Sequence, residues 1–280
     1  MVLEDIINKY TDEASKFIDV DGLDVHYKDE GKGEVLVLLH GTFSSLHTFD
    51  SWVNILKKKY RIFRLDLPGF GITGPSNNNV YSIPMFLNFI ENFLNLLGVK
   101  QFHLAGNSLG GWLAWELAIK TKDRIGKLVL LNSAGYIKDK NYPLPFVIAQ
   151  TPVLRNVFNY IPKAVVRRFI RQVFNNQEIV TDELVERYYC LIQREGNLNA
   201  FITIANSKLK QNTHSLQYLK MPVLIMWGNK DRWISPEHAL FFEKDIPKSR
   251  VVMYEDVGHV PMEEIPEKSA FDLTEFLSEN

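Results

Sequence analysis

Six short and almost uninterrupted apolar runs limit what this chain can fold into. They are EVLVLL at 34–39, RIFRLDL at 61–67, FHLA at 102–105, KLVLL at 127–131, PVLIMW at 222–227 and RVVMY at 250–254. Runs of this length and density suit strands buried on both faces, as in a parallel sheet covered by helices. Helical stretches stand between several of them. Residues 82–97 carry apolar side chains at helical spacing and stop at Gly98, and 109–119 and 271–277 read the same way. Upstream, 17–27 alternates loosely around an Asp21-Gly22 turn and predicts an N-terminal hairpin. Strands alternating with helices predict an α/β fold with a mostly parallel sheet.

The alternation stops after Leu131. From 136 to 215 no strand pattern appears, only helical pieces at 145–159, 162–174, 181–194 and 197–210. Thr181-Asp182-Glu183 has the composition of a helix start. Helices placed between two buried strands predict an insertion over one end of the sheet. The expected division is a core of 1–135 and 216–280 with a helical cap at 136–215. A chain of 280 residues, 46% hydrophobic, is long enough for this arrangement.

Lys and Arg number 32 against 33 Asp and Glu, a net charge of −1, which gives no broad attraction for nucleic acid. The single cysteine, Cys190, excludes an intrachain disulfide and fits a reducing compartment. Residues 1–15 are polar, without the apolar stretch of a signal peptide, and no uncharged segment is long enough to span a bilayer. A cytoplasmic protein without an integral membrane segment is expected. The sequence fixes no oligomeric state. The basic stretch 163–171, with Val165, Val166, Phe169 and Ile170, reads as an amphipathic helix with a solvated face.

Gly106-Asn107-Ser108-Leu109-Gly110 fits G-x-S-x-G. Such a match arises by chance in roughly one chain in twenty of this length, so its context decides. It follows the run ending at Ala105 and opens the helix containing Trp112 and Trp115. A nucleophile elbow needs that order: glycines relieve crowding around the serine, and the helix start aims N–H groups at developing negative charge. Ser108 is the expected nucleophile.

A serine nucleophile needs a base. His259, in Asp256-Val257-Gly258-His259-Val260-Pro261, follows the last strand, at the sheet end where α/β folds place chemistry. His26 and His103 fall within strands, His214 at the end of the insertion and His238 in a helix. His40 precedes Gly41 and suits a loop-shaping role. Asp231 reaches the same sheet end from the run at 222–227 and is the expected orienting carboxylate. Asp256 lies too close to His259 in sequence to support the ring from its far side. For the oxyanion, the N–H of Leu109 pairs with that of Thr42 in the loop after 34–39, Phe43 being the alternative.

Gly69-Phe70-Gly71-Ile72-Thr73-Gly74 imitates a dinucleotide fingerprint, but Pro75-Ser76 and an asparagine run follow instead of a helix. There is no Walker A loop, H-E-x-x-H or paired C-x-x-C, so neither metal nor organic cofactor is expected. The insertion carries Tyr142, Phe146, Val147, Phe158, Tyr160 and Phe201. Some pack onto the sheet and others line an apolar pocket; Phe43, Trp112, Phe146, Phe201, Trp233 and Val260 are its expected residues.

Together, His40-Gly41, Asp66-Leu67-Pro68-Gly69-Phe70-Gly71, Gly106 to Gly111, Trp227-Gly228 with Asp231, and Gly258-His259 resemble the α/β-hydrolase superfamily in identity and order. The resemblance implies an eight-stranded, mostly parallel sheet with the cap inserted after the sixth strand. It also implies a small-molecule substrate and the Ser108, Asp231, His259 triad. Haloalkane dehalogenases and epoxide hydrolases in the superfamily use an aspartate where this chain has Ser108. The chain also looks like the meta-cleavage-product hydrolases, which cut carbon–carbon bonds and commonly carry tryptophan after the histidine; here Val260 follows. The resemblance therefore points to a carboxylesterase acting on short- to medium-chain or aryl esters. The alternatives are a carbon–carbon hydrolase and, in another class, a small-molecule receptor on the same fold.

Overall fold

The computed structural model describes residues 2–136, 143–151, 160–207, 209 and 211–279. Eight strands form a sheet in the order β1-β2-β4-β3-β5-β6-β7-β8. β1 (Ser15–Val20) and β2 (Leu23–Gly31) are the expected hairpin, and β2 pairs antiparallel with β4 (Tyr60–Leu65). β3 (Glu34–Leu39), β5 (Phe102–Asn107), β6 (Ile125–Leu131), β7 (Val223–Gly228) and β8 (Ser249–Tyr254) complete the parallel part. Every residue of β7 is buried, which is why its sequence shows no alternation.

The helix α1 (Leu3–Tyr10) precedes the sheet. Its buried Ile6 clusters with Ile72 and Leu191. Leu3, Ile6, Ile7 and Tyr10 stand at helical spacing, with Ile7 and Tyr10 packed beside Ile6, a pattern that the polar composition of 1–15 overshadows. On one sheet face lie α3 (Ile83–Leu96), α4 (Leu109–Lys120) and α9 (Glu237–Asp245), through Phe86, Phe93, Trp115 and Phe242. Ser82 caps α3 by accepting from the Met85 N–H. On the other face lie α2 (Asp50–Leu56), the short α10 (Pro261–Glu264) and α11 (Pro266–Ser278), with Trp52, Met262 and Phe276. Full burial of such side chains stabilises by about 2–3 kcal/mol each. Trp52 also donates its indole N–H to Ser269 at 2.8 Å, which joins α2 to α11 without an orphaned polar atom.

Between β6 and β7 come α5 (Leu144–Gln150), α6 (Lys163–Val173), α7 (Asp182–Ile192) and α8 (Asn197–Asn206). The described part of 136–215 is helical, as expected, and Thr181 caps α7 by accepting from Leu184 N. α8 stops at Asn206, short of the expected 210. The later part of the helix expected at 145–159 lies outside the described residues, as do Tyr142, Phe158, Arg155 and Lys210.

Just past β4, Asp66 is fully buried and gathers three segments. Its carboxylate accepts from His26 Nδ1 at 2.8 Å, Leu46 N at 2.7 Å and Ile72 N at 2.8 Å. Burial opposes its ionisation, but the hydrogen bond from His26 and the surrounding imidazoles outweigh it and hold the carboxyl below its ordinary range. A carboxyl depressed in the folded state adds stability that is complete above its unfolded-state value, near pH 4. That stability is lost as pH falls towards the folded value. Asp66→Asn is expected to lower the unfolding free energy at pH 7 by about 2–3 kcal/mol. It should also flatten the loss of stability between pH 5 and pH 3, as read from urea denaturation across that range.

Candidate active site

Ser108 stands between β5 and α4 with φ 56° and ψ −117°, a conformation that L-residues disfavour. Its N–H donates to Leu131 O at 3.1 Å, and its carbonyl accepts from Trp112 N and Ala134 N. The turn is held from β6, from the loop that follows it and from the helix it opens. A Cβ on Gly106 would lie 2.2 Å from Gly110 O, and one on Gly110 would lie 2.1 Å from Leu39 O. No side chain fits at either position, because backbone packs directly on backbone.

His259 follows β8 through Val257 and Gly258 and is buried. Its N–H donates to Val173 O at 2.8 Å, and its carbonyl accepts from the Asn107 amide at 3.0 Å. Nδ1 lies 2.7 Å from Asp231 Oδ2. A carboxylate only accepts, so Nδ1 is the donor and Nε2 is left as the basic nitrogen. Asp231 is itself fixed on all sides: Oδ2 also accepts from Asn132 Nδ2 at 2.7 Å, and Oδ1 from Trp233 N at 2.7 Å and Ile234 N at 3.0 Å. Asn132, at the end of β6, was not expected in this role; an asparagine carries no signal of it in the sequence. Asp256 is exposed, with its carboxylate 3.8 Å from Lys230, and does not meet His259.

His40 is fully buried and shapes loops, as its position suggested. Nδ1 donates to Gly41 O at 2.7 Å, and Nε2 accepts from Leu67 N at 3.0 Å. Burial holds its imidazole below the ordinary value. It fastens the loop carrying Thr42 and Phe43, in which Phe43 has φ 64°. Among the described residues, nothing accepts from the N–H groups of Thr42, Phe43 and Leu109. The glycine-rich segment 69–74 closes on itself, Gly69 N donating to Gly74 O at 2.6 Å, and no helix follows before Ile83. Among the described residues, no three His, Cys, Asp or Glu side chains group so as to hold a metal.

Two cavities open at Ser108. The smaller, about 40 Å³, is lined by Thr42, Phe43, Val166, Ile170, His259 and Val260, with others. The larger, about 790 Å³, has Leu109, Trp112, Tyr136, Phe146, Ile204 and Glu237 among its walls. Trp233 lies on both, its ring centroid 5.8 Å from that of His259. Five of the six expected pocket residues therefore face a cavity. The sixth, Phe201, does not: it is buried behind Phe43 and Phe146, at ring-centroid distances of 4.0 and 5.1 Å. Periodicity marks an inward face on α8 but not which layer each residue occupies. Val147 and Tyr160 are exposed. On α6, Val166, Phe169 and Ile170 turn towards the small cavity, while Arg168 and Arg171 are exposed and Arg167 pairs with Asp182.

A family model described as alpha/beta hydrolase fold matches residues 34–266. The chain belongs to the α/β-hydrolase family. It is 28% identical to the uncharacterized hydrolase YugF of Bacillus subtilis (strain 168), over 92% of this chain and 96% of that one. It is 27% identical to 2-hydroxy-6-oxononadienedioate/2-hydroxy-6-oxononatrienedioate hydrolase of Burkholderia vietnamiensis, over 96% and 97% of the two chains. Among solved structures it resembles a membrane phospholipase A described as a bacterial virulence factor, with TM-score 0.80 and 25% identity over 94% of this chain and 85% of that one. No helix among the described residues of this α/β hydrolase is long and apolar enough to cross a membrane.

The backbone contacts at the elbow make a stability test. Gly110→Ala puts a methyl group into Leu39 O and is expected to cost about 3 kcal/mol or more, or to prevent folding. Chemical denaturation and soluble yield measure it, with the surface variant Gly98→Ala as comparison. A Cβ there meets nothing within 4 Å, so only the φ of 68° is strained.

Proposed function

We propose that this protein is a serine hydrolase of carboxylic esters. Ser108 is the nucleophile, His259 the general base and Asp231 the group that orients it. The observation that carries this reading is the His259–Asp231 pair at 2.7 Å, with His259 and Ser108 on the walls of one small cavity. His259 takes the Ser108 proton as the oxygen attacks the ester carbonyl. The N–H of Leu109, together with that of Thr42 or Phe43, receives the oxyanion. His259 then protonates the leaving alcohol, and water repeats the sequence on the acyl-enzyme. Among the described residues these N–H groups have no competing acceptor, as a ready-made hole requires. The segment 136–215 acts as the cap, its described helices supplying walls to both cavities.

The cavities suggest how an ester is divided. The leaving group must face His259, so it lies towards the small cavity. The acyl group then lies along Leu109 and Trp112 in the larger one, whose volume suits a medium-length chain or an aryl group. The runner-up is the carbon–carbon hydrolysis named for the Burkholderia relative. That chemistry protonates a dienolate carbon and holds anionic oxygens. Val260, on the wall of the small cavity, stands where carbon–carbon hydrolases of this kind commonly carry tryptophan, which favours esters.

An organophosphonate is expected to label Ser108 stoichiometrically, and Ser108→Ala to abolish both labelling and turnover while the protein stays folded. Mass spectrometry placing the adduct elsewhere excludes the assignment. Asp231→Asn should lose about 10⁴ in kcat, and Asp256→Asn far less. In a panel of ethyl esters from acetate to decanoate, with ethyl benzoate, a long-chain triglyceride and a dienone, medium-chain or benzoyl esters should lead. A dienone with a kcat/KM well above the best ester would replace the ester reading by the carbon–carbon one. Binding without repeated turnover of any substrate would favour a receptor.

A further inference from the structure

Glu264 closes α10, five residues beyond His259, and its carboxylate is buried. No cation pairs with it among the described residues. It is satisfied by backbone N–H groups alone. Oε2 accepts from Gly258 N at 3.0 Å and Asn175 N at 3.1 Å, and Oε1 from Asn176 N at 2.7 Å and Asn175 N at 3.1 Å. Gly258 is the residue before His259. Asn175 and Asn176 follow the end of α6, whose Val166, Phe169, Ile170 and Val173 wall the small cavity. One carboxylate thus binds the loop of the histidine to the end of the helix that faces it.

Two neighbouring bonds run across the same seam. His259 N donates to Val173 O, and Asn175 Nδ2 donates to Asp256 O at 2.8 Å. The seam is tight: a Cβ on Gly258 would lie 2.3 Å from Val173 O and 3.1 Å from Glu264 Oε2. A buried carboxylate is costly unless its lone pairs are filled, so a position that keeps one without a cation serves some use of its four acceptor sites. The neighbouring Glu263 already ties α10 to α7, accepting from Arg187 Nη2 at 2.7 Å and Tyr188 Oη at 2.8 Å. Anchoring of the helical segment as such therefore does not require Glu264. What Glu264 reaches and Glu263 does not is the Val257–Gly258 peptide, one residue before His259.

We propose that Glu264 is a positioning residue for His259, locking the base and the α6 wall of the small cavity into one unit. The proposal rests on His259 being the base. Glutamine at this position has one acceptor oxygen and one donor nitrogen. It retains the Gly258 side or the Asn176 side of the seam, not both, and the lock opens. Misplacing a catalytic group by about 1 Å from a remote change costs on the order of 100-fold.

The test compares Glu264→Gln, Glu264→Asp and His259→Ala in ethyl butyrate hydrolysis, with kcat expressed per site that a phosphonate titrates and melting temperature followed in parallel. Glu264→Gln is expected to lower kcat per titrated site by about 10- to 100-fold with KM within about threefold of the parent. Glu264→Asp keeps the charge but shortens the reach, and its kcat should fall between. If Gln fails to fold, the Asp variant carries the same comparison. A lower melting temperature with kcat per site within about twofold of the parent would show a purely structural glutamate and overturn the proposal. His259→Ala retaining parental turnover would overturn the base assignment and this proposal together. Its loss of turnover beside an unaffected Glu264→Gln would overturn the role of Glu264 alone.

Discussion

Backbone-to-backbone contact around residue 108 is the constraint on which the remainder of this structure depends. β5 turns into α4 so sharply that Ser108 takes a positive φ, and the new helix comes down onto the end of β3. Two glycines make this contact possible by having nothing to put into it. The strain at a single residue costs on the order of 1–3 kcal/mol and persists only where surrounding bonds over-determine it. Here Leu131, Ala134 and Trp112 supply those bonds from a strand, a loop and a helix. The outcome is a hydroxyl displayed at the sheet end to which the loops after β3, β7 and β8 also lead.

Those loops are held by buried polar networks. His40 joins the loop after β3 to the one after β4, and Asn107 reaches from the elbow to the carbonyl of His259. Asp231 takes four hydrogen bonds from an imidazole, an amide and two peptide groups. Networks of this kind are stiff because any rotation leaves a buried group unpaired. Apolar side chains of α6 and α8 line the cavities beside it, and the arginines of α6 stay on its outer surface or in its ion pair with Asp182.

Much of this was legible in the sequence, for identifiable reasons. Parallel strands write themselves as dense apolar runs, and all six runs became strands, the last of them at the sheet edge. Residues at strand ends are brought together by topology, so the gathering of Ser108, Asp231 and His259 at one end of the sheet could be expected from order alone. α1 was passed over although Leu3, Ile6, Ile7 and Tyr10 stand at helical spacing, because composition was weighed there and periodicity was not. Neither Asn132 nor Glu264 could be read, because their partners are peptide groups and side chains distant in sequence. Phe201 was misplaced by one layer: hydrophobicity says that a residue is inside, and only packing says whether a cavity or another ring lies in front of it.

The pair Glu263 and Glu264 bears on how such a protein changes over time. Adjacent residues of one short helix grip two different helices of the insertion, one through side chains and the other through its main chain. The insertion is stitched to the core well away from the two places where the chain enters and leaves it. A helical segment exchanged between relatives by recombination would therefore bring its own fit, good or bad, to a carboxylate pair it does not encode. A substitution on either side of this seam acts on contacts that the other side also makes.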